Sequence, residues 1–534
     1  MSSATHQDSR EVEWQLASSD LGSVRRWLDA QGSIEGLLVA PQPTLQIFDT
    51  YFDTDDWRIF RAGYALRVRS EEGRSQATLK SLHTNTGAKA DRRELSEIID
   101  RDWNGQSEGP VGLRIRAVSG AHSLQPLFEV RTSRQRYAIH AANEEQQIGE
   151  IALDETVISR PNGPPQTSLQ RVEVEASSDD HEPLQTLVDV LRTQCSLEAA
   201  PDNKYSQGLK SVGLAPAPFP DFQPTAVDAS MRVEDVALAN LRRFLSAWYQ
   251  HEPAARFGDE PEALHDLRVA GRRMDSILRQ FEAFLPAAIV RIRPTIKKVM
   301  KALGHARDLD VALLELDEFN RTLSEDDRAK LQPLREYLGA ERVRARHKML
   351  AILDSSSVQK DFEKLRASLA QPASVSETPQ DSPLVALSTL IRTRYKKTRK
   401  AADRLTADSS MDEYHAVRGR VKKLRYTLET VAVVFGKPAD EMVKALRRWQ
   451  EKLGAQQDAD VAGRRLRALA ANSPKGLPTE TLFLMGQLAA HYQARAWKAR
   501  KRHPRAYRKV QDRWKALKSK LDPEQKAPPP PTGP

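Results

Sequence analysis

The stretch EVEWQLA (residues 11–17) alternates without a break: Glu11, Glu13 and Gln15 fall on one side, Val12, Trp14 and Leu16 on the other. A period of two is that of a β-strand with one polar and one apolar face. The pattern returns in YALRVRS, which sets Arg67 and Arg69 against Leu66 and Val68, and in QATLKSL, which sets Gln76, Thr78 and Lys80 against Ala77 and Leu79. It returns again in GEIALDET, which puts Glu150 and Asp154 together, and in QRVEVEA, which does the same for Glu173 and Glu175. An idle solvated sheet face carries mixed Ser, Thr, Lys and Glu. A face of Arg, Lys, Glu and Asp repeated over five strands holds more charge than solvation needs. Residues 1–212 therefore read as an antiparallel sheet domain whose charged face is a candidate site.

Beyond the strands, four prolines in GLAPAPFPDFQPTA (213–226) mark a semi-extended linker. Over 227–521 apolar residues recur at three and four, the spacing of helices. A second break, QPASVSETPQDSP (371–383), divides this half into 227–370 and 384–521. The tail DPEQKAPPPPTGP (522–534) has the composition of a disordered segment. The helical half is duplicated. LHDLRVAGRR (264–273) and YHAVRGRVKK (414–423) share His-x-x-Arg and a trailing basic pair, and LGHARDLDV (303–311) matches LGAQQDADV (453–461) at the same 150-residue offset. Two motifs at one spacing identify an internal repeat.

Charge divides along the same line. Residues 1–220 carry 23 Lys and Arg against 32 Asp and Glu, a net of −9, and the remainder carries 59 against 40, a net of +19. So basic a second half implies a polyanionic partner. On an ideal helix His265, Arg268, Arg272 and Arg279 fall within roughly 60° of arc. Leu267, Met274, Ile277, Leu278 and Phe281 form an apolar seam on the other side. In the second copy His415, Arg418, Lys422 and Arg425 share a face, while Val417, Leu424, Leu428 and Val431 turn inward. Arg273 and Lys423 complete the basic pairs, and Lys297, Lys298, Arg307 and Lys444 add further cations. Acidic residues one turn away are few, Asp275 and Glu429. Arg and Lys suit phosphate oxygens, and apart from Tyr426 and Trp449 the stripes have few of the interleaved aromatics that stack on bases. A phosphate polymer without bases is the expected partner and nucleic acid the rival. The basic stretch YQARAWKARKRHPRAYRKV (492–510) is open between binding nucleic acid and covering the end of a bundle.

Other classes are excluded by what the chain lacks. The single cysteine, Cys195, permits no intramolecular disulfide and no cysteine-based zinc site. No Walker loop, dinucleotide fingerprint or His-Glu-x-x-His pattern occurs. The first residues lack the apolar run of a signal peptide, and no apolar run nears the ~20 residues of a membrane span, so a cytoplasmic protein is expected. Trp248, Trp449 and Trp497 are expected in the core.

The helical half resembles the CHAD family (conserved histidine α-helical domain) over about 225–520, through LHDLRVAGRR, LGHARDLDV and their second copies. The resemblance implies two pseudo-symmetric helical bundles with a basic groove that binds inorganic polyphosphate. Gln457 stands where the first copy has Arg307. The first half resembles the CYTH family, the triphosphate tunnel metalloenzymes, over roughly 11–210. The matching stretches are EVEWQ, YFDT, YALRVR, TLK, RRELS, IALDET, RVEVEA and DNKYSQGL. This resemblance implies an eight-stranded antiparallel β tunnel, so that the whole chain is an α+β multidomain protein. It implies phosphate ligands at Arg67, Arg69, Lys80, Arg134, Arg136 and Lys204, with Arg92 and Arg131 as further candidates. It implies Mg²⁺ or Mn²⁺ held by Glu11, Glu13, Asp154, Glu173 and Glu175, with Glu94 assisting. Glu11, Glu13, Arg67, Arg69, Lys80 and Arg134 form the implied catalytic set. The chemistry is consistent: hard divalent cations take carboxylate oxygens, and clustered Arg and Lys stabilise a transferring phosphoryl group. The family opens on Glu-x-Glu-x-Lys, whereas this chain has Gln15 in place of the ammonium. A charge-assisted hydrogen bond contributes roughly 1.5–3 kcal/mol, so turnover slowed by one to two orders of magnitude is one consequence. The expected function is a metal-dependent triphosphatase, a phosphoanhydride hydrolase whose helical half holds long polyphosphate or brings the enzyme to polyphosphate granules. The alternatives are a non-catalytic polyphosphate binder with a degenerate tunnel, and a nucleotide triphosphatase or adenylate cyclase.

Overall fold

The computed structural model describes residues 7–521 apart from 72, 83–87, 101–102, 142–145, 178–181, 223–224, 229–230, 372–382, 407, 473–476 and 501–502. The tail at 522–534 and most of the break at 371–383 lie outside the described residues. The chain forms two compact units, Met1–Phe219 with Gln250–Ala263, and Pro220–Tyr249 with Leu264–Pro534.

Eight long strands build the ring of the first unit, with two-residue strands at Ser33–Ile34 and Glu198–Ala199 beside it: β1 (Gln7–Ala17), β2 (Leu37–Thr54), β3 (Tyr64–Glu71), β4 (Arg74–Ser81), β5 (Lys89–Ile99), β6 (Leu124–Ala141), β7 (Gln147–Ser159) and β8 (Pro165–Ala176). Each runs antiparallel to its neighbours in the order β1-β5-β4-β3-β2-β6-β7-β8, and β8 returns to β1. The ring closes at EVEWQLA itself. Glu11 stands opposite Arg92 of β5, while Glu13 and Gln15 stand opposite Glu175 and Glu173 of β8. Closure removes the unpaired edges of an open sheet.

The ring turns its charged face inward and its apolar face outward. Val12, Trp14 and Leu16 are buried against two helices, α1 (Leu21–Ala30) and α2 (Glu182–Gln194), through Val24, Leu28, Leu187 and Leu191. Both faces of β1 are therefore covered, with Trp14 1% exposed and Glu13 5% exposed. A third helix, α3 (Lys204–Val212), begins at Asn203, whose side chain accepts the Ser206 N–H. It packs on the strands at Gly208, where any Cβ would strike Phe128. The unit also takes in residues beyond the linker: Phe257 stacks on Tyr64 at 4.0 Å and Glu252 pairs with Arg58 at 3.2 Å.

The duplicated half carries α4 (Val233–Phe257), α5 (Pro261–Gln280), α6 (Arg293–Asn320), α7 (Glu325–Leu353) and α8 (Ser356–Ala370) in its first copy. The second copy carries α9 (Pro383–Ala402), α10 (Met411–Phe435), α11 (Lys437–Ala471), α12 (Thr479–Arg500) and α13 (His503–Lys520). The paired motifs fall on matching helices, α5 with α10 and α6 with α11. Helix α10 opens on a capping box, Ser410 with Glu413, which satisfies two otherwise unpaired N–H groups. Leu267, Met274 and Ile277 of α5 are buried, as are Val417, Leu424 and Leu428 of α10. The copies share a core in which Leu316, Leu331 and Leu334 meet Leu484, Met485 and Leu488. Trp248 and Trp449 are buried, but Trp497 is 53% exposed. The buried stripe of α12 runs through Leu484, Leu488 and Tyr492, and position 497 lies roughly 140° from Tyr492 around the helix.

Candidate functional site

Six cations and five carboxylates line one cavity of about 190 Å³ inside the ring: Arg67, Arg69, Lys80, Arg92, Arg134 and Lys204 with Glu11, Glu13, Glu94, Glu173 and Glu175. The period-two pattern places all of them but Lys204, because residues of one parity on every strand face the axis; Lys204 comes from the first turn of α3. Lys80 Nζ lies 2.8 and 2.7 Å from the two Glu11 carboxylate oxygens and 3.1 Å from Glu94. Arg134 grips Asp154 through Nε and Nη2, each at 2.7 Å, and reaches Glu173 at 2.6 Å. Lys204 joins the same two carboxylates, 3.0 Å from Glu173. Arg69 grips Asp49 at 2.8 and 3.0 Å, with Arg67 at 3.9 Å from it.

The electrostatics separate two kinds of carboxylate. Burial would raise Glu94, but Lys80 and Arg67 outweigh it and hold the group at about 2. Burial likewise opposes ionisation of Glu173, yet Lys204 and Arg134 keep it below the ordinary carboxylate range. Glu13 and Glu175 go the other way. Burial, then the charge of Glu11, pushes each up to about 7. These two stand side by side where β1 meets β8, so the cavity has a corner short of positive charge. A donor set of buried carboxylates with incomplete compensation fits a hard divalent ion. The tunnel carboxylates are not gathered as tightly as bound ligands would be. Among the described residues, the group whose ligand atoms all lie within 4.8 Å of one another is Asp55, Asp56 and His122, none of which lines the cavity.

Gln15 donates through Nε2 to Glu13 Oε1 at 2.8 Å and accepts from Arg171 Nη1 at 3.4 Å. Arg171 also donates to the Asp202 carbonyl at 2.7 Å. A guanidinium thus sits beside the position where the ammonium was expected. Arg171 and Asp49 were not anticipated. The alternation in QRVEVEA puts Arg171 on the face of Glu173, a signal that was available; Asp49 lies in no charged alternation. Two anticipated cations lie elsewhere. Arg131 is exposed over the Phe48 ring at 5.6 Å, because three residues from Arg134 is an odd step on a strand and turns it outward. Arg136 shares the inward parity but pairs with Glu150 at 3.5 Å, away from the residues lining the cavity.

In the second unit, one groove of about 890 Å³ gathers His265, Arg268, Arg272 and Arg307 of the first copy with Arg418 of the second. The arginines lie over the glycines of the second motif. A Cβ on Gly304 would fall 2.9 Å from Arg268 Nη1, and one on Gly454 would fall 3.3 Å from Arg418 Nη2. Arg268 Nη1, Arg272 Nε and Arg418 Nε are buried with no hydrogen-bond partner among the described residues. Burial and the charges of Arg272 and Arg418 push Lys422 down to about 7. The other anticipated cations are placed differently. Arg273 and Arg425 are tied to Glu429 and lie over Tyr426. Arg279 and Lys423 are exposed neighbours of Lys422. Lys297 and Lys298 are exposed on α6, His415 lines a hollow with Asp412 and Asp460, and Lys444 lines a separate groove. Arg418 Nη1 donates to Gln457 at 2.9 Å, where the first copy has a cation.

Comparison with known proteins agrees with this division. Residues 25–206 match the CYTH domain family and residues 239–467 the CHAD domain family. Two uncharacterised Mycobacterium tuberculosis proteins, from strains CDC 1551 and H37Rv, are each 24% identical over 529 residues, covering 90% of this chain and 95% of theirs. The CHAD domain of the plant Ricinus communis is 26% identical and covers 57% of this chain and 96% of its own, with a TM-score of 0.44. A Hippeastrum protein described as a putative adenylyl cyclase with a dominant triphosphatase activity is 16% identical, covering 38% of this chain and 97% of its own, with a TM-score of 0.29. No helix among the described residues is long and apolar enough to cross a membrane. The closed ring with its charged interior is a CYTH domain, and the duplicated helical half that follows it is a CHAD domain.

Proposed function

We propose that the tunnel hydrolyses a phosphoanhydride bond of inorganic triphosphate with Mg²⁺ or Mn²⁺, and that the helical unit holds longer inorganic polyphosphate. The observation that carries the first part is the gathering of six cations and five carboxylates in one cavity inside the ring. Arg67, Arg69, Arg134 and Lys204 would turn from their carboxylates to the phosphate oxygens, binding and orienting the chain. The anion so bound draws positive charge away from Asp154 and Glu173, and these two with Glu11, Glu13 and Glu175 would hold the metal. The ion supplies charge to the phosphate oxygens and lowers the pKa of a bound water. The ring wall excludes bulk water, which strengthens every cation–phosphate interaction inside.

The cavity of about 190 Å³ is small beside the ~300–1,000 Å³ of pockets for drug-sized ligands. That size favours a bare triphosphate over a nucleotide. For the helical unit, the supporting observation is the set of three buried guanidinium nitrogens with no partner in the groove, which phosphate oxygens would satisfy. The test is a substrate panel of tripolyphosphate, ATP, thiamine triphosphate and long-chain polyphosphate, each with Mg²⁺ and with Mn²⁺. Release from tripolyphosphate should exceed release from the two organic triphosphates. Equal or faster release from ATP would move the reading to a nucleotide triphosphatase.

A further inference from the structure

The groove between α11 and α13 carries two rows of cations that the polyphosphate reading leaves unused. Lys444, Arg448 and Lys452 lie on α11, and Arg505, Lys509 and Arg513 lie on α13, all lining one groove of about 960 Å³. Steps of four residues keep each row on one helix face. The two helices are locked together beneath the rows by Trp449, which is fully buried and stacks on Tyr507 at 4.7 Å. Tyr507 is fixed in turn by donating to Asp403 at 2.5 Å.

Charge in this groove is poorly balanced. Against six cations stand three carboxylates, Glu441, Glu451 and Asp512. Lys444 and Arg513 share Glu441, at 3.2 and 3.6 Å. Among the described residues, Arg448, Lys452, Arg505 and Lys509 have no ion-pair partner, and all four are exposed. Water and salt screen part of the repulsion between such exposed like charges, and a polyanion lying along the groove would relieve the rest. Glu451 borders both this groove and the one lined by Arg268 and Arg418, so the two meet over α11. Among the described residues no aromatic ring lines the α11–α13 groove, and stacking on bases needs one.

We propose that the α11–α13 groove is a second binding site for a linear phosphate chain, continuing the one held by Arg268 and Arg418. This rests on the polyphosphate reading above and extends it. Each row spans about 12 Å at the helical rise, so a short chain is satisfied by the first groove and gains nothing from the second. A long chain engages both, and the second contact, being intramolecular, multiplies affinity.

The test uses the full chain and three ligands, a short oligophosphate, a long polyphosphate and duplex DNA, with binding followed by calorimetry over a range of salt. The variants are Arg448→Glu with Lys509→Glu, and the milder pair Lys452→Gln with Arg505→Gln; thermal melts control for folding. Either pair should weaken long-chain binding about tenfold and leave the short chain within about twofold. The slope of log K against log salt should flatten by about one to two, each lost phosphate contact removing ~0.7–0.9. Unchanged long-chain affinity and slope, while Arg268→Ala with Arg418→Ala weakens binding of both phosphate chains, would overturn the second site and leave the polyphosphate reading standing. Wild-type protein that binds neither chain would instead overturn that reading, and the second site with it. A loss confined to duplex DNA, at matched phosphate and salt, would make the groove a nucleic-acid site and also overturn the proposal.

Discussion

Gln15 bonds Glu13 through its amide nitrogen and receives Arg171 on its amide oxygen. A lysine at this position would gain Glu13 but would also set an ammonium against a guanidinium, at a site 5% exposed. Like charges repel strongly where the dielectric is low. Gln15→Lys should therefore bring no gain in turnover and lower the melting temperature, and Arg171→Gln in the same chain should restore the melting temperature and let turnover rise. A mutant cycle in thermal melts and phosphate release measures the coupling; faster turnover from Gln15→Lys alone would show that Arg171 does not stand in for the missing cation. Lys422 gives a pH signature. Burial and the neighbouring arginines lower its folded value from 10.5 to about 7. The unliganded fold disfavours the charged form, so this group adds stability as pH rises from about 7 toward 10.5. A bound phosphate chain reverses the preference and raises the group again. Binding then takes up a proton, and affinity should fall as pH rises from 7 to about 9. Lys422→Gln should remove that slope when Kd is measured across pH at constant salt.

At the scale of elements, the matching glycines of α6 and α11 separate stability from binding. Alanine is a better helix former than glycine by about 1 kcal/mol, yet a Cβ at Gly304 or Gly454 intrudes on Arg268 or Arg418. Gly304→Ala and Gly454→Ala should hold or raise the melting temperature while weakening polyphosphate binding severalfold, with the larger loss at Gly304, where the gap is 2.9 Å. Loss of melting temperature in parallel with affinity would mean the glycines are only structural. The strands and helices themselves were legible because period two and the three–four spacing each survive on a single face. What failed was parity and phase. Arg131 and Arg134 cannot both face the axis, and Trp497 sits off the buried stripe of α12. The α11–α13 groove was illegible for another reason: its rows lie 61 residues apart, at Lys444 and Arg505, and only packing brings them together.

For the whole molecule, alternation in EVEWQLA could not by itself tell an open sheet from a ring. Closure depends on one strand serving two neighbours, β5 and β8, a long-range fact; the tunnel was expected only through the CYTH resemblance. Likewise the 150-residue offset revealed two copies but not the core they share. Because Arg268 and Arg418 enter one groove from different copies, removing both should weaken long-chain binding far more than either alone affects short chains, as paired titrations would read. The central claim is that the ring is a catalytic site for triphosphate, and one measurement bears on it most directly. Phosphate release from tripolyphosphate is followed for the wild-type chain and for Arg134→Ala, with and without added Mg²⁺ or Mn²⁺. The account predicts release that requires the divalent ion and falls about 10- to 100-fold in the variant, the worth of a lost charge-assisted contact. Absence of release with either ion, or equal release from the variant, would contradict it.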